Sequence, residues 1–434
     1  MRILFIYPSF ERHAQSHPEL LSCVPCNEYI GSPSLGIAAV AACTPAEFDV
    51  AFVDDRIHPV DEQLPEADLY ALSFFTPAAT RAFEIAKLIR STGKPVVAGG
   101  IFPSMMPKVV SKYFDSVVVG EGEPVWAQLC QDAADGRLKP RYESDSAADL
   151  DSLPTPRIDL YISAEDESFS PDDYPLQTSR GCPFNCDACV LPVCMGKKIR
   201  HFPDKYVFDL LDRFGQASKR CCLTEDTSFI FVSGARRRFR RLLKHLAERQ
   251  TSQPVKLSYL GTSMPLLLNI EDEIFDEVRA AGVSRFYLVG GFDPITRGAF
   301  GTGDKAMLEK ARTCVRRCQD HGVEPYVSFL VGNQDDDQGT FERMLEFANQ
   351  VELNIAEFAI ATPYPGTPLW SRLEEEDRIF DRTWKHYNDS NVVFHPYKMS
   401  AEKLLEGYLF LWREFYSSRQ HLSQAAAELN TVQF

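Results

Sequence analysis

Residues 177–189 read QTSRGCPFNCDAC and place the thiols of Cys182, Cys186 and Cys189 at the spacing C-x3-C-x2-C. A loop with three thiols this close together can wrap one metal centre, and thiolates suit an iron–sulfur cluster or zinc. Structural zinc sites usually take four ligands from paired C-x2-C knuckles, and no second knuckle lies nearby. Three thiolates on a four-iron cluster would leave one iron open to a substrate or a cofactor.

The cysteine loop lies near the start of a long αβ alternation, residues 174–375, in which short apolar runs are separated by stretches of helical length. Such an alternation is typical of a parallel sheet built from βα units. Six units predict a partial (β/α)6 barrel, whose site should lie at the carboxyl ends of the strands. The loop directly follows the first predicted strand. The predicted strands are 176–179, 220–224, 256–260, 285–289, 325–331 and 357–361.

Residues 1–145 show a similar alternation of continuous apolar strands and helices, which indicates a parallel sheet covered on both faces. Five strands suit a flavodoxin-like (Rossmann-type) order, with a ligand site beyond their carboxyl ends. Residues 146–173 are rich in Asp, Ser and Pro and predict a linker. Residues 376–434 predict a C-terminal helical subdomain. The strands of the first sheet are predicted at 2–7, 49–53, 68–74, 95–98 and 116–119, and its helices at 35–43, 77–91 and 105–112.

Composition narrows the possible partners. Lys and Arg number 46 against 61 Asp and Glu, a net charge of −15, which argues against nucleic acid or an anionic membrane as main partner. No stretch reaches the roughly 18 apolar residues of a membrane span, and the N-terminus lacks the features of a signal peptide. We therefore expect a cytoplasmic, reducing compartment. In such a compartment we expect the 12 cysteines to be thiols, metal ligands or redox groups in preference to disulfides.

A C-x3-C-x2-C loop after the first strand of a partial barrel resembles the radical SAM superfamily. The resemblance implies that Cys182, Cys186 and Cys189 bind a 4Fe–4S cluster, and that the amino and carboxylate groups of S-adenosylmethionine (SAM) chelate its fourth iron. It also implies that Phe184, inside the loop, stacks near the adenine. A loop aromatic that fills core space is the alternative for Phe184.

The order of Rossmann-like domain, linker and barrel is similar to that of radical SAM enzymes with a cobalamin-binding domain. The resemblance implies cobalamin as a further cofactor, with Ser73, Gly99, Gly100 and Glu121 as binding residues. The paired glycines could equally serve only as turns. A D-x-H-x-x-G motif is absent, since His58 has the wrong spacing, so the cobalt should lack a protein imidazole. The family-like stretches are GSPSLGIAAVAA (31–42), GEGEPVW (120–126), TPYPGTPLW (362–370) and VVFHPYKMS (392–400).

The resemblance also implies SAM-binding positions at the ends of the later strands. Phe292 stands where relatives often carry a Glu, which puts the usual grip on SAM in doubt and leaves Asp293 as a possible substitute. Glu225 and Asp226 follow the second strand and are candidate catalytic residues. The remaining cofactor-binding candidates are Ser258, Tyr259, Val331 and Gly332.

Two further cysteine pairs have different interpretations. Cys221 and Cys222, at the end of the second strand, could together hold a soft ligand such as arsenite or a second metal. Cys314 and Cys318, at i and i+4 of a helix, predict small core residues.

The sequence therefore predicts an enzyme that reductively cleaves SAM, with cobalamin, and alkylates an unactivated centre of a small biosynthetic molecule. Its electrons would come from a donor such as flavodoxin or ferredoxin. An altered grip on SAM leaves a second hypothesis open, in which a 3-amino-3-carboxypropyl group moves to a soft acceptor such as trivalent arsenic. A third hypothesis, a non-enzymatic corrinoid carrier, leaves the cysteine loop without a role.

Overall fold

The first sheet is formed by short apolar strands whose side chains point alternately into two cores. Phe5 packs with the helices on one face, while Ile6 packs with those on the other. The structure is a computed structural model that describes residues 1–21, 23, 33–61, 64–165, 173–223, 235–252, 254–288 and 305–417. The strands are β1 (Arg2–Tyr7), β2 (Asp49–Asp54), β3 (Leu69–Ser73), β4 (Val96–Gly99), β5 (Ser116–Val119) and β6 (Arg141–Glu143).

The order of this sheet is β2-β1-β3-β4-β5-β6, and every pairing is parallel. The first five strands therefore have the flavodoxin-like order that the sequence predicts, and β6 is added at the edge. Helix α5 and strand β6 were not anticipated from the sequence. The helices around the sheet are α1 (Leu35–Ala42), α2 (Ala79–Ser91), α3 (Ile101–Met105), α4 (Pro107–Val110) and α5 (Glu123–Ala134).

The predicted linker packs against the first sheet over much of its length. Leu150 and Tyr161 are buried, and the short helix α6 (Asp159–Ile162) holds Tyr161 over α1. The Tyr161 hydroxyl donates to the Ser34 carbonyl at 2.7 Å and accepts from the Ala38 amide at 2.9 Å. This segment is thus a fastened connection rather than a free spacer.

The second unit has its parallel strands in two sheets, ordered β11-β10-β7 and β12-β13-β14-β15, while β8 and β9 form an antiparallel ribbon. Helices lie between the strands, as in a βα repeat. The strands are β7 (Asp173–Leu176), β8 (Ser179–Arg180), β9 (Arg200–His201), β10 (Arg220–Leu223), β11 (Lys256–Leu257), β12 (Leu260–Thr262), β13 (Arg285–Leu288), β14 (Glu324–Val331) and β15 (Ile355–Ile360). The helices are α7 (Leu191–Cys194), α8 (Asp204–Gln216), α9 (Ala235–Arg249), α10 (Met264–Leu267), α11 (Asp272–Ala280), α12 (Lys305–Asp320), α13 (Thr340–Gln350), α14 (Pro368–Glu375) and α15 (Ala401–Ser417).

The α/β class with parallel sheets is confirmed, with two differences in detail. The first barrel strand, β7, begins at Asp173, three residues before the predicted 176, so the cysteines follow the ribbon strand β8 rather than the barrel strand itself. The predicted strand 256–260 is split into β11 and β12, which belong to different sheets. In the part of the chain that the structure describes, no helix has the length and apolar character of a membrane span.

Helix α15 closes the barrel from the outside. Trp412 donates through Nε1 to the Phe358 carbonyl at 3.2 Å, and the Tyr416 hydroxyl donates to the Ala356 carbonyl at 2.7 Å. Gly407 lies where α15 approaches α13, and a Cβ there would meet the buried Phe341 ring at 2.2 Å. The helix can therefore come this close only with glycine at that position.

We predict that Gly407→Ala destabilises the protein, although alanine normally favours a helix interior by about 0.5–1 kcal/mol over glycine. The clash with Phe341 should outweigh that gain, with a net loss of about 1–3 kcal/mol as for other overpacked cores. Chemical denaturation measures the change. A second Phe341→Leu substitution should restore part of the loss, and a stabilised Gly407→Ala protein would contradict the packing described here.

Candidate active site

The cysteine loop is closed at its base by the β8–β9 ribbon, in which Arg180 is opposite Arg200. Gly181 follows β8 with φ of +97°, and a Cβ at this position would lie 2.3 Å from the Lys198 carbonyl oxygen. The Cys182 amide donates to the Gly196 carbonyl at 3.0 Å. Glycine at position 181 is thus required for the two ends of the loop to pass each other and fix the first cysteine.

The three thiols of the loop differ in exposure. Cys182 is buried, Cys189 is half-buried and Cys186 is exposed, and none forms a disulfide. Within the described ranges, no group of three His, Cys, Asp or Glu side chains is close enough to hold a single ion. A four-iron cluster places each thiolate on a different iron and so needs donors that are spread apart. Three thiols on one short loop fit such a cluster by number and by chemistry.

A buried charge cluster ties this loop to the first sheet. Arg180 donates to Glu121 at 2.9 Å and to Glu123 at 2.7 Å, and Arg200 donates to Glu121 at 2.9 Å. The side chains of Arg180 and Glu121 are each 7% exposed. Burial alone would raise the pKa of Glu121, but hydrogen bonds from Arg200 and the charge of Arg180 hold this pKa below its usual value. The carboxylate therefore stays ionised between its two arginines.

A cavity of about 1070 Å³ lies between the two units. It is at the upper end of the size range of small-molecule sites. On the side of the first sheet, the carboxyl ends of β3 and β4 reach it through Ser73, Gly99 and Gly100. Gly100 has φ of +100°, and a Cβ there would lie 2.7 Å from the Phe74 carbonyl oxygen. This turn therefore presents bare backbone to the cavity.

Residues on both sides of the three cysteines line the same cavity. Gln177 and Arg180 precede the loop, and Leu191, Cys194 and Met195 follow the last cysteine. The cavity continues into the barrel, where its further lining residues include Cys222, Ser258, Tyr259 and Tyr326.

Several predicted cofactor residues lie together at this cavity. Ser73, Gly99, Gly100 and Glu121 contribute from the first sheet, and Ser258 and Tyr259 contribute from the barrel. The Glu121 carboxylate is occupied by the two arginines, and the Ser258 hydroxyl donates to Asp173 at 2.7 Å.

Other predicted site residues lie elsewhere. Phe184 is half-buried in the cysteine loop. Val331 is fully buried, and Gly332 is covered by Leu404 of α15. None of these three is among the described residues that line the cavity. Glu225, Asp226 and Asp293 fall outside the described residues.

The interpretation of Cys221 and Cys222 as one chelating pair is wrong. Neighbouring residues of a strand point to opposite faces. Cys221 is fully buried, with its sulfur 3.8 Å from the Lys256 carbonyl, and only Cys222 lines the cavity. Burial raises the pKa of Cys222 to about 12, so its thiol stays protonated near neutral pH. Cys314 and Cys318 are both fully buried on α12, as their i, i+4 spacing predicts.

Sequence reasoning missed a buried carboxylate inside the barrel. Glu357 lies in the middle of β15 and accepts hydrogen bonds from the hydroxyls of Tyr287 and Tyr326, each at 3.0 Å. Burial raises the pKa of Glu357, and the nearby Arg12 guanidinium acts in the opposite direction. A signal was present, because Glu357 is the one charged residue in the apolar strand IAEFAI.

Known proteins are similar to the chain over nearly its whole length. The bacteriochlorophyllide d C-12(1)-methyltransferase of Chlorobaculum tepidum is 25% identical over 409 residues, which cover 93% of this chain and 87% of that protein. The hopanoid C-2 methylase of Rhodopseudomonas palustris is 25% identical, over 99% of this chain and 83% of the relative. A solved structure of TsrM, a radical S-adenosylmethionine methyltransferase from Kitasatospora setae, aligns over 99% of both chains with a TM-score of 0.66 and 15% identity.

The chain is thus similar to methyltransferases over nearly its whole length, and it shares the fold of a radical SAM methyltransferase. The match to TsrM covers both units, and that structure has cobalamin and a [4Fe-4S] cluster bound. Together with the methyltransferase relatives, this match confirms the predicted resemblance to cobalamin-type radical SAM enzymes. A domain of unknown function, DUF4070, matches residues 367–433, which begin beside α14 and include α15.

We predict that Gly181→Ala prevents iron loading. A side chain at position 181 must displace the Lys198 carbonyl and open the base of the cysteine loop. Iron content after anaerobic reconstitution measures the effect and should fall several-fold, because backbone distortion moves the ligands. Gly261→Ala is the matched control, since a Cβ there meets nothing within 4 Å. Full iron loading of Gly181→Ala would refute this role of the glycine.

We also predict that Arg180→Met destabilises the enzyme by about 3–5 kcal/mol, because it leaves a buried carboxylate without its partner. The free energy of unfolding measures this loss. Arg141→Met removes a pair in which both side chains are about half exposed, at 53% and 50%, and should cost no more than about 1 kcal/mol. Equal losses of the free energy of unfolding in the two variants would mean that the buried ion pairs stabilise the fold no more than an exposed pair does.

Proposed function

We propose that this chain is a methyltransferase that uses a 4Fe–4S cluster, SAM and cobalamin to methylate an unactivated centre of a small biosynthetic molecule. One observation carries the proposal: residues on both sides of the three cysteines line the same large cavity as the carboxyl ends of the first sheet. A group held by the cysteine loop and a ligand of the first sheet would therefore share one space. The names of the relatives, a methyltransferase and a methylase, support the same reaction.

Cys182, Cys186 and Cys189 would hold the cluster. When bound, the cluster supplies the electron that cleaves SAM, and the corrinoid relays the methyl group. The chain's own task is to bind, orient and keep water out. Gly99 and Gly100 would let the corrinoid approach the backbone, with Ser73 beside them. The missing D-x-H-x-x-G motif predicts that the cobalt would lack a protein imidazole.

SAM would lie between the cysteine loop and the barrel interior. Ser258 and Tyr259 offer hydroxyls at the cavity wall. The family resemblance proposes Phe184, in the cysteine loop, for contact with the adenine. Val331 and Gly332 would support the end of β14 from behind the cavity wall, without contact to SAM. Glu225, Asp226 and Asp293 are proposed as polar contacts from the sequence alone.

The aromatic lining favours a flat, largely apolar substrate. Phe10 and Phe75 meet edge to face at 4.5 Å, and Trp126 and Tyr259 line other parts of the cavity. Such surfaces bury apolar ligands well. Because the cysteine ligands must remain reduced, we place the reaction in the reducing cytoplasm.

Anaerobic reconstitution and SAM turnover test this function. With dithionite, hydroxocobalamin and SAM, we expect about four irons per chain and both 5′-deoxyadenosine and S-adenosylhomocysteine as products. Methylthioadenosine as the main nucleoside would instead favour transfer of a 3-amino-3-carboxypropyl group, a hypothesis weakened by the opposite faces of Cys221 and Cys222. Cys186→Ala should abolish turnover, while Cys43→Ala, which changes a thiol outside the loop, should retain it. Corrinoid binding without any SAM cleavage by the iron-loaded protein would support a carrier.

A further inference from the structure

The segment that follows the cysteines, α7 and the turn after it, exposes one apolar residue and two cations. We call Val193, Lys197 and Lys198 the loop patch. Val193 is 55% exposed, one of the few large apolar side chains at the surface of the described chain, and both lysines are exposed. The two lysines have no carboxylate within ion-pair distance among the described residues. The loop patch therefore combines two exposed lysines with one exposed apolar side chain.

The loop patch is connected to the first cysteine through the backbone. The Gly196 carbonyl accepts the hydrogen bond of the Cys182 amide at 3.0 Å, and the Lys198 carbonyl packs directly over Gly181. Cys186, the exposed cysteine, belongs to the same loop. A protein seated on the loop patch would thus be close to whatever the three thiols hold.

The loop patch is positively charged, whereas the chain as a whole is negatively charged. The whole chain has a net charge of −15 and should repel an acidic protein over most of its surface. Nearby charges are already compensated, because Asp187 is paired with Arg372 at 2.9 Å and Arg200 with Glu121 at 2.9 Å. Lys197 and Lys198 remain as a local positive site beside the loop.

The more basic helix α9 does not offer an equivalent surface. Its arginines are largely neutralised across helix contacts: Arg240 is paired with Glu277, and Arg241 with Asp204 at 2.6 Å. The run of arginines in the sequence is therefore used to fasten α9 to its neighbours.

We propose that the loop patch docks a small acidic electron-transfer protein of the flavodoxin or ferredoxin type. The inference rests on the proposed function, in which each SAM cleavage consumes one electron. The donor is oxidised by one electron and the cluster is reduced by one, with no bond formed between the two proteins. Transient redox complexes are small, and complementary charge steers their association more than it tightens it. Two exposed lysines and one exposed apolar residue in the same short segment suit such a brief contact.

The test compares two ways of reducing the enzyme. In Lys197→Glu/Lys198→Glu, SAM cleavage driven by a purified acidic flavodoxin should show a KM for flavodoxin raised about ten-fold or more, as expected when attractive charges become repulsive. Cleavage driven by dithionite should equal that of the unsubstituted enzyme. Calorimetric titration of the iron-loaded protein with oxidised flavodoxin should show the same loss of binding without any turnover.

The matched control is Lys305→Glu/Lys310→Glu, which makes the same change of charge at two exposed lysines of α12. It should leave the flavodoxin KM within about two-fold of the original, because only distant charges change. An equal effect in both double variants, or no effect in the loop variant, would overturn the docking site. Absence of SAM cleavage with dithionite in the unsubstituted enzyme would instead overturn the proposed function.

Discussion

The arrangement of this protein depends on two arginines that are held side by side. Arg180 and Arg200 are opposite each other in the β8–β9 ribbon, where like charges would repel. Glu121 and Glu123, from the loop after β5 and the start of α5, neutralise them in a buried site. The positive charges of the ribbon that closes the cysteine loop are therefore neutralised by residues that follow the first sheet's strand β5. The cysteine loop, the cavity and the contact between the two units therefore meet at one set of charges.

The sequence predicted those features that depend on residues close together in the chain. The C-x3-C-x2-C spacing identified the cysteine loop, and apolar periodicity identified the parallel sheets and the flavodoxin-like order. The Arg180–Glu121 contact was not predictable, because its partners are 59 residues apart and a charge in a sequence does not indicate its counterion. The prediction that Cys221 and Cys222 form a pair failed for a different reason. Consecutive residues of a strand point to opposite faces of the sheet, so their side chains lie apart.

The interior of the barrel shows how burial changes the chemistry of ordinary side chains. Tyr259, Tyr287 and Tyr326 form a group with ring centroids 4.8–6.5 Å apart. Their neighbour Glu357 has its pKa raised by burial, and the pKa of Tyr287 is raised for the same reason. The hydrogen bonds from Tyr287 and Tyr326 satisfy the buried carboxylate of Glu357. A charged strand residue is thus accommodated inside the barrel by two neighbouring hydroxyls.

The position of the charge cluster has a consequence for the order of synthesis. Domains generally fold as they leave the ribosome, beginning at the N-terminus. Glu121 and Glu123 are translated before Arg180 and Arg200, so the acidic half of the cluster can be in place when the basic half emerges. The ribbon then closes onto a surface that already exists, and the cysteines between its strands are gathered as part of the same event. The arrangement of the three cysteines therefore depends on a first sheet that is made earlier in the chain.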